Sequence, residues 1–201
     1  MTAFRNSYLI MRHGQSEANV GGIVVSDPAV GCERFGLTPL GREQVITSIN
    51  EHKEQGLTQI VCSDFLRTQQ TAELAANTLN LESPQVDTGL RERFFGRFEG
   101  LSDIHYEGVW QRDQITGQQT DDKVETTEAV LQRGLRVLQK LEQQFDNQVI
   151  LLVSHGDMLQ ILRTAFVDKT PQQHRSLSHH ETAEIKHLVS QGHTYPVIGW
   201  Q

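Results

Sequence analysis

Three short apolar runs in this chain each end in residues that can bind an anion. The junctions are these: residues 8–11 lead into Arg12, His13 and Gly14, residues 60–62 lead into Ser63, Asp64 and Arg67, and residues 149–153 lead into Ser154, His155 and Gly156. Runs of this length predict buried strands, and open α/β sheets bind their ligands at the carboxyl ends of strands. Two arginines and two histidines that meet there predict a phosphate site.

The residue types at these junctions suit phosphoryl chemistry. A neutral imidazole is a usable nucleophile, and phosphorylating it divides the cleavage of a phosphoester into two easier displacements. The guanidinium groups of Arg12 and Arg67 can each donate two parallel hydrogen bonds to phosphoryl oxygens, which a lysine cannot do. We expect His155 to contribute as an imidazolium, Asn19 to add a neutral donor, and Gly156 to open a helix whose amino end favours an anion.

Each of these residues also has a purely structural interpretation. Arg12 or Arg67, taken singly, could form an ion pair with Asp64 or Glu17. Asn19 could simply cap a turn. Their common position at predicted strand ends favours a functional role.

The elements that must position these side chains follow from the sequence pattern. Strand and helix patterns alternate along the chain, which is typical of an α/β fold. Four helices are predicted. The first starts at Thr38 and Pro39 and ends at Gly56, the second follows Asp64, the third runs from Thr126 or Thr127 to about Phe145, and the fourth runs from Met158 to Phe166. A last strand is predicted over residues 183–189. We expect a three-layer sandwich, with a mostly parallel open sheet and helices on both faces, and one domain over residues 1–201.

Composition narrows the class of protein. The chain has 201 residues, 37% of them hydrophobic, and a formal net charge of −7. A broad basic surface is absent from such a sequence, so we expect neither nucleic acid nor membrane as a partner. No signal-peptide core or span-length apolar stretch is visible, and Cys32 and Cys62 do not suggest a disulfide framework. These features predict a cytoplasmic protein whose oligomeric state stays open, with a homodimer as one option.

Two glycine-rich segments show no regular pattern. They are residues 20–36 and residues 94–125, and each follows a predicted site element. One interpretation is that they are lid-like walls of the pocket, and the other is that they are ordinary surface loops.

Five motifs, in order along nearly the whole chain, resemble those of the histidine phosphatase superfamily, also called the phosphoglycerate mutase-like family. They are residues 9–19 (LIMRHGQSEAN), residues 36–41 (GLTPLG), the set Ser63, Asp64, Arg67, Gln70, Thr71 and Ala72, the set Leu90, Arg91, Glu92, Gly96, Glu99 and Gly100, and residues 154–156 (SHG). The resemblance implies that His13 is the nucleophile. Its other ring nitrogen should then donate to a backbone carbonyl and so fix the tautomer.

A carboxyl group is needed as well, because the leaving alkoxide takes up a proton and the attacking water later loses one. Glu92 stands at the family's position for this acid and base. An ion pair of Glu92 with Arg91 or Arg93 is the competing interpretation. Glu17 or Asp157 could also transfer the proton, although Asp157 could merely complement a helix dipole.

The nine histidines raise the alternative of a metal site. The sequence contains no His-Glu-x-x-His and no Cys-x-x-Cys, and the adjacent His179 and His180 cannot easily share one ion on a regular element. We therefore expect no metal and no cofactor.

The choice within the superfamily rests on the segment 94–125. It carries three basic and seven acidic residues, a net charge of −4, which would repel a bisphosphate. The sequence thus favours the phosphatase branch, acting on a small phosphorylated metabolite whose identity is not readable. A cofactor-dependent phosphoglycerate mutase is the alternative, and a non-catalytic phosphoryl-binding protein is a third interpretation.

Overall fold

One sheet forms the centre of the computed structural model, which describes residues 3–116, 122–167 and 169–194. Its strands are β1 (Ser7–Arg12), β2 (Gln59–Cys62), β3 (Gln85–Val86), β4 (Val149–Ser154) and β5 (Ile185–Val189). Their spatial order is β3-β2-β4-β1-β5. Every neighbouring pair is parallel except β1 with β5, which is antiparallel. The prediction of a mostly parallel open sheet is confirmed.

The helices of the described residues are α1 (Glu17–Gly21), α2 (Pro28–Gly31), α3 (Pro39–Glu51), α4 (Leu66–Leu79), α5 (His105–Thr116), α6 (Thr127–Gln144) and α7 (Gly156–Thr164). Short 3-10 turns occur at Lys53–Gln55, Thr88–Leu90, Gly96–Phe98 and Pro171–Ser176. The four helices expected from the sequence are present as α3, α4, α6 and α7. Within the described ranges, each helix is too short or too polar to cross a membrane.

The two faces of the sheet are covered by different helices. Tyr8 and Ile10 of β1 pack in one apolar cluster with side chains of α6 and α7. Leu9 and Met11 point the other way and pack with side chains of α3 and α4. This alternation, which follows from the period of two in a strand, gives the three layers that the sequence predicts.

Helix α5 is a correction to the expectation that residues 94–125 lack regular structure. Val109 is the one fully buried residue between positions 105 and 115, so the helix has almost no apolar stripe for a pattern search to find. Specific contacts hold it instead: the Tyr106 ring packs edge-on against Phe95, and Asp113 forms an ion pair with Arg93. The segment 20–36 likewise contains α2 and the end of α1. Positions 117–121, within residues 94–125, lie outside the described residues.

The loop that follows β1 packs backbone to backbone on the start of α3. A Cβ atom on Gly14 would lie 2.5 Å from the carbonyl oxygen of Gly41, and one on Gly41 would overlap the backbone of Gln15. Side chains at either position would therefore push apart the loop and the helix. Because this loop continues directly from His13, the contact also positions that side chain.

We expect Gly41→Ala to destabilise the fold by about 1–3 kcal/mol, since a rigid backbone cannot make room for the methyl group. Gly108→Ala in α5 is the matched control, because a Cβ atom there meets nothing within 4 Å. That change should stabilise the protein by up to about 1 kcal/mol through helix propensity. Urea unfolding measures both, and a Gly41→Ala variant as stable as the parent would contradict the packing argument.

Candidate active site

A cavity of about 180 Å³ opens at the carboxyl ends of β1, β2 and β4. Its walls are formed by Arg12, His13, Ser16, Ala18, Asn19, Ile23, Val25, Arg67, Glu92, Asp103, Tyr106, Trp110, Gly156, Asp157, Arg175 and His179. The sheet edge expected to bind an anion is therefore the edge that carries the cavity. His155 lies just behind it, with its ring centre 5.4 Å from that of His13.

His13 is buried and its tautomer is defined by the backbone. Its Nδ1 lies 2.8 Å from the carbonyl oxygen of Gly14, to which it donates, so the lone pair is on Nε2. Arg67 Nε donates to that Nε2 at 3.1 Å. Burial and the positive charges of Arg67 and Arg12 hold the pKa of His13 well below its ordinary value. The imidazole is thus neutral, with the lone pair that a nucleophile needs.

Arg67 is buried in the first turn of α4 and reaches both histidines. Its Nη2 donates to the carbonyl oxygen of Val25 at 2.9 Å and to His155 Nδ1 at 3.0 Å. Its Nη1 is buried and has no hydrogen-bond partner among the described residues. Burial lowers the pKa of Arg67, but an arginine remains charged in proteins. The guanidinium therefore keeps a donor that a ligand can use.

His155 is the end of a buried chain of hydrogen bonds. Because its Nδ1 accepts from Arg67, its proton is on Nε2, which donates to Ser63 Oγ at 2.7 Å. Ser63 then donates to Thr68 Oγ1, and Thr68 donates to the carbonyl oxygen of Phe65, each at 2.7 Å. Burial and the charge of Arg67 hold the pKa of His155 well below its ordinary value. The expectation of an imidazolium is wrong for this arrangement, in which the ring is neutral.

Arg12 is the second cation beside His13. Its Nη1 donates to the carbonyl oxygen of His180 at 2.9 Å and lies 3.2 Å from His179 Nε2. Its Nε is buried without a partner among the described residues. The alternative that Arg12 or Arg67 pairs with Asp64 is excluded, because Asp64 forms its ion pair with Arg91. Arg12 and Arg67 thus form no ion pair among the described residues and keep their charge for an anion.

Glu92 lies on the cavity wall and pairs with neither neighbouring arginine. Its Oε1 accepts from the backbone N–H of Arg93 at 2.9 Å and from that of Met158 at 3.2 Å. Burial raises the pKa of Glu92, and the negative charge of Asp157 raises it further. A carboxyl group that holds its proton more strongly than usual is suited to act as a general acid.

Asp157 is occupied by structural contacts. Both of its carboxylate oxygens accept from Trp110 Nε1, at 2.9 and 3.0 Å, and one lies 3.5 Å from Arg93 Nη1. Glu17, the other alternative for proton transfer, is exposed and does not line the cavity. Of the three carboxyl groups considered from the sequence, Glu92 is therefore the one that lines the cavity without a side-chain hydrogen-bond partner among the described residues.

Asn19 takes part in a helix cap and also lies at the cavity. Its Oδ1 accepts from the backbone N–H and the hydroxyl group of Ser16, which caps α1. The residue also lines the cavity, and its amide nitrogen remains as a donor. Gly156 begins α7, and a Cβ atom there would lie 3.6 Å from the guanidinium carbon of Arg12, in ordinary contact. A side chain at 156 would thus cover the face of Arg12.

The two segments without a sequence pattern both contribute walls. Ile23 and Val25 come from residues 20–36, whereas Asp103, Tyr106 and Trp110 come from residues 94–125. Sequence reasoning missed these five because their spacing matches no motif. It also missed Arg175 and His179. The one sequence signal near them is the pair of adjacent histidines, His179 and His180.

No group of three or more histidine, cysteine, aspartate or glutamate side chains in the described part of the chain has the geometry to hold a metal ion. The cavity wall instead carries the N–H donors of Arg12, Arg67 and Arg175. That donor set is complementary to an anion.

The fold and the cavity together define an α/β protein with arginine N–H donors beside a neutral imidazole at the carboxyl ends of its strands. The model of the histidine phosphatase superfamily (branch 1) matches residues 8–201, and the chain belongs to that family.

Individual relatives in this family are distant. The chain is 29% identical over 174 residues to the probable phosphoglycerate mutase GpmB of Yersinia enterocolitica, covering 84% of this chain and 78% of that protein. It is 29% identical over 175 residues to human 6-phosphofructo-2-kinase/fructose-2,6-bisphosphatase 4, covering 83% of this chain. It spans only 34% of that relative's length.

Solved structures share the architecture. A mycobacterial glucosyl-3-phosphoglycerate phosphatase superimposes with a TM-score of 0.74 at 22% identity, covering 89% of this chain and 87% of that one. A phosphoserine phosphatase from Entamoeba histolytica gives a TM-score of 0.71 at 20% identity, covering 90% and 88%. At these identities the likeness establishes the common fold.

The buried histidines give a pH prediction. Because burial and nearby arginines hold the pKa values of His13 and His155 well below the ordinary value of about 6.5, both rings stay neutral as the pH falls through that value. The unfolded chain takes up those protons, so their contribution to the free energy of unfolding falls as pH drops below about 6.5. Nitrogen NMR between pH 7.5 and 5.5 measures the protonation of the two imidazoles, and the chain unfolded in urea is the control. Protonation of folded His13 with a midpoint near 6.5 would contradict the prediction.

Proposed function

We propose that this protein hydrolyses the phosphomonoester of a small metabolite through a phosphohistidine on His13. The observation that carries the proposal is the state of that imidazole: it is neutral, its Nδ1 is anchored on a backbone carbonyl, and its Nε2 faces arginine donors. The family and the phosphatase and mutase names of the similar proteins support phosphoryl transfer.

The first step forms a nitrogen–phosphorus bond and breaks the ester bond between phosphorus and oxygen. His13 Nε2 attacks in line, and Glu92 gives its proton to the departing oxygen. Arg67 Nε, which donates to His13 Nε2 at 3.1 Å, transfers that hydrogen bond to a phosphoryl oxygen as the lone pair enters the reaction. The unused donors Arg12 Nε and Arg67 Nη1 stabilise the charge on the outer oxygens.

The second step reverses these roles. Ionised Glu92 takes a proton from water, whose oxygen attacks phosphorus and releases the imidazole. Inorganic phosphate leaves, Glu92 is again protonated, and His13 is again neutral. During both steps a bound dianion partly offsets the field of the arginines, while the neutral ring of His155 continues to accept from Arg67.

The charges in the segment 94–125 favour hydrolysis over mutase activity. Arg97 and Arg112 both pair with Asp122, and Arg93 pairs with Asp113. None of these three arginines lines the cavity. A mutase must hold its phosphorylated product for a second transfer, and these three cations are bound elsewhere and cannot help to hold it, which favours water as the acceptor of the phosphoryl group.

His13→Ala should abolish turnover of an aryl phosphate and the formation of an acid-labile phosphoenzyme, because the nucleophile is gone. His187→Ala is the control, since among the described residues that ring on β5 bonds Ser190 alone and lies outside the cavity. Phosphate release and rapid-quench phosphoenzyme trapping measure the two effects. An active His13→Ala variant would refute the mechanism, and primer-dependent isomerisation of phosphoglycerate that exceeds phosphate release would replace hydrolysis by the mutase function.

Glu92→Gln should slow hydrolysis of an alkyl phosphate by about 10²–10⁴-fold, the usual contribution of a general acid. The loss should be much smaller for nitrophenyl phosphate, whose leaving group needs no proton. Steady-state kinetics on the two esters measure the difference. Equal losses would assign Glu92 a structural role.

A further inference from the structure

Arg175 is a third arginine of the cavity, and the phosphoryl chemistry described above does not use it. It lies in the 3-10 turn Pro171–Ser176, and its guanidinium carbon is 3.7 Å from the ring centre of Trp110. Its Nη1 donates to Gln160 Oε1. It lines the same cavity as His13 and Glu92. The cation is thus next to the reacting groups without being one of them.

The contacts of Arg175 fix its direction. Trp110, on which it stacks, is held by hydrogen bonds from its Nε1 to both carboxylate oxygens of Asp157. Gln160 is buried, and its Nε2 donates to the carbonyl oxygen of His174 at 3.3 Å, which turns Oε1 towards the arginine. A side chain held on two sides loses little further freedom when it binds a ligand.

The charge of Arg175 is only partly offset by the protein, through the more distant carboxylates of Asp157 and Glu107. No carboxylate lies within ion-pair distance of it among the described residues, and its Nε and Nη2 have no hydrogen-bond partner there. Arg93 and Arg133, by contrast, are both bonded to carboxylates. Burial lowers the pKa of Arg175, which reflects the unfavourable removal of its charge from water. An anionic group on a ligand would offset that penalty.

We propose that Arg175 binds a carboxylate on the leaving group, so that the preferred substrates are phosphate esters of small hydroxy acids. This inference rests on the proposed hydrolysis at His13. A planar guanidinium matches a carboxylate through two parallel hydrogen bonds. Asp103 and Asp157 line the same cavity and oppose a second phosphate, whose charge is larger.

The test compares two esters that differ only in the proposed group: 3-phosphoglycerate has a carboxylate where glycerol 3-phosphate has a hydroxymethyl group. The parent protein should prefer the carboxylate ester in kcat/KM by about 10–100-fold, as for one charge-assisted interaction. Arg175→Met, which keeps the packing on Trp110, should lose this preference, mainly through KM, and Arg175→Lys should keep part of it. Arg136→Met is the control, because Arg136 is exposed on α6 and does not line the cavity.

Three results would overturn the inference. They are a parent protein without the preference, an Arg175→Met variant that keeps it, and equal losses on both esters, which would mean a structural role. A third substrate, 1,3-propanediol bisphosphate, tests the other anion. If it is preferred over 3-phosphoglycerate in an Arg175-dependent way, the carboxylate assignment is wrong.

A binding measurement separates this inference from the proposed function. If the parent protein hydrolyses neither ester nor nitrophenyl phosphate, the hydrolytic function has failed. Calorimetry with His13→Ala protein then still reports on Arg175. Tighter binding of 3-phosphoglycerate than of glycerol 3-phosphate, lost on adding Arg175→Met, would support the carboxylate site, and equal binding of the two esters would reject it.

Discussion

The buried positive charge of Arg67 is the constraint on which the rest of the site depends. Its side chain is 4% exposed and forms no ion pair within the described residues. An isolated charge in such surroundings is costly unless polar groups solvate it. Here the solvating groups are one backbone carbonyl and the lone pairs of two imidazoles. Those imidazoles can accept from Arg67 only while they are neutral, and burial together with the charge of Arg67 keeps both histidines in that state.

The remaining hydrogen bonds of the site follow from this requirement. Since His13 accepts on Nε2, its proton must be on Nδ1, where the Gly14 carbonyl receives it. Since His155 accepts on Nδ1, its proton is on Nε2, which donates to the hydroxyl group of Ser63. Ser63 donates in turn to Thr68, and Thr68 donates to a backbone carbonyl. Removing any one acceptor would leave a buried donor unpaired at a cost of about 1–3 kcal/mol. The tautomers are therefore properties of the network and not of single residues.

A second, acidic network organises the opposite wall. Asp157 joins α7 to α5 through Trp110, and Arg93 joins the same carboxylate to Asp113. This arrangement holds a polar helix against the body of the protein although it buries little apolar surface. Its negative charge also raises the pKa of nearby Glu92. The cavity thus has a cationic side that favours an anion and an acidic side that favours a protonated carboxyl group.

The chain order of strands and helices, the mostly parallel sheet and its two covered faces were predictable from the sequence, because apolar periodicity and helix signals are local. The residues at the strand ends, from Arg12 to His155, were predictable for the same reason, since parallel strands present their carboxyl ends at one edge. The ion-pair partners and the charge states of the ionisable side chains were not predictable. Asp64 binds Arg91 and leaves Arg12 and Arg67 unpaired, and His155 is neutral instead of cationic. The charge state of a side chain and its ion-pair partner depend on burial and on groups that are distant in the chain, so only the tertiary structure decides them. The same holds for the packing of α5 and for the place of Arg175 in the cavity.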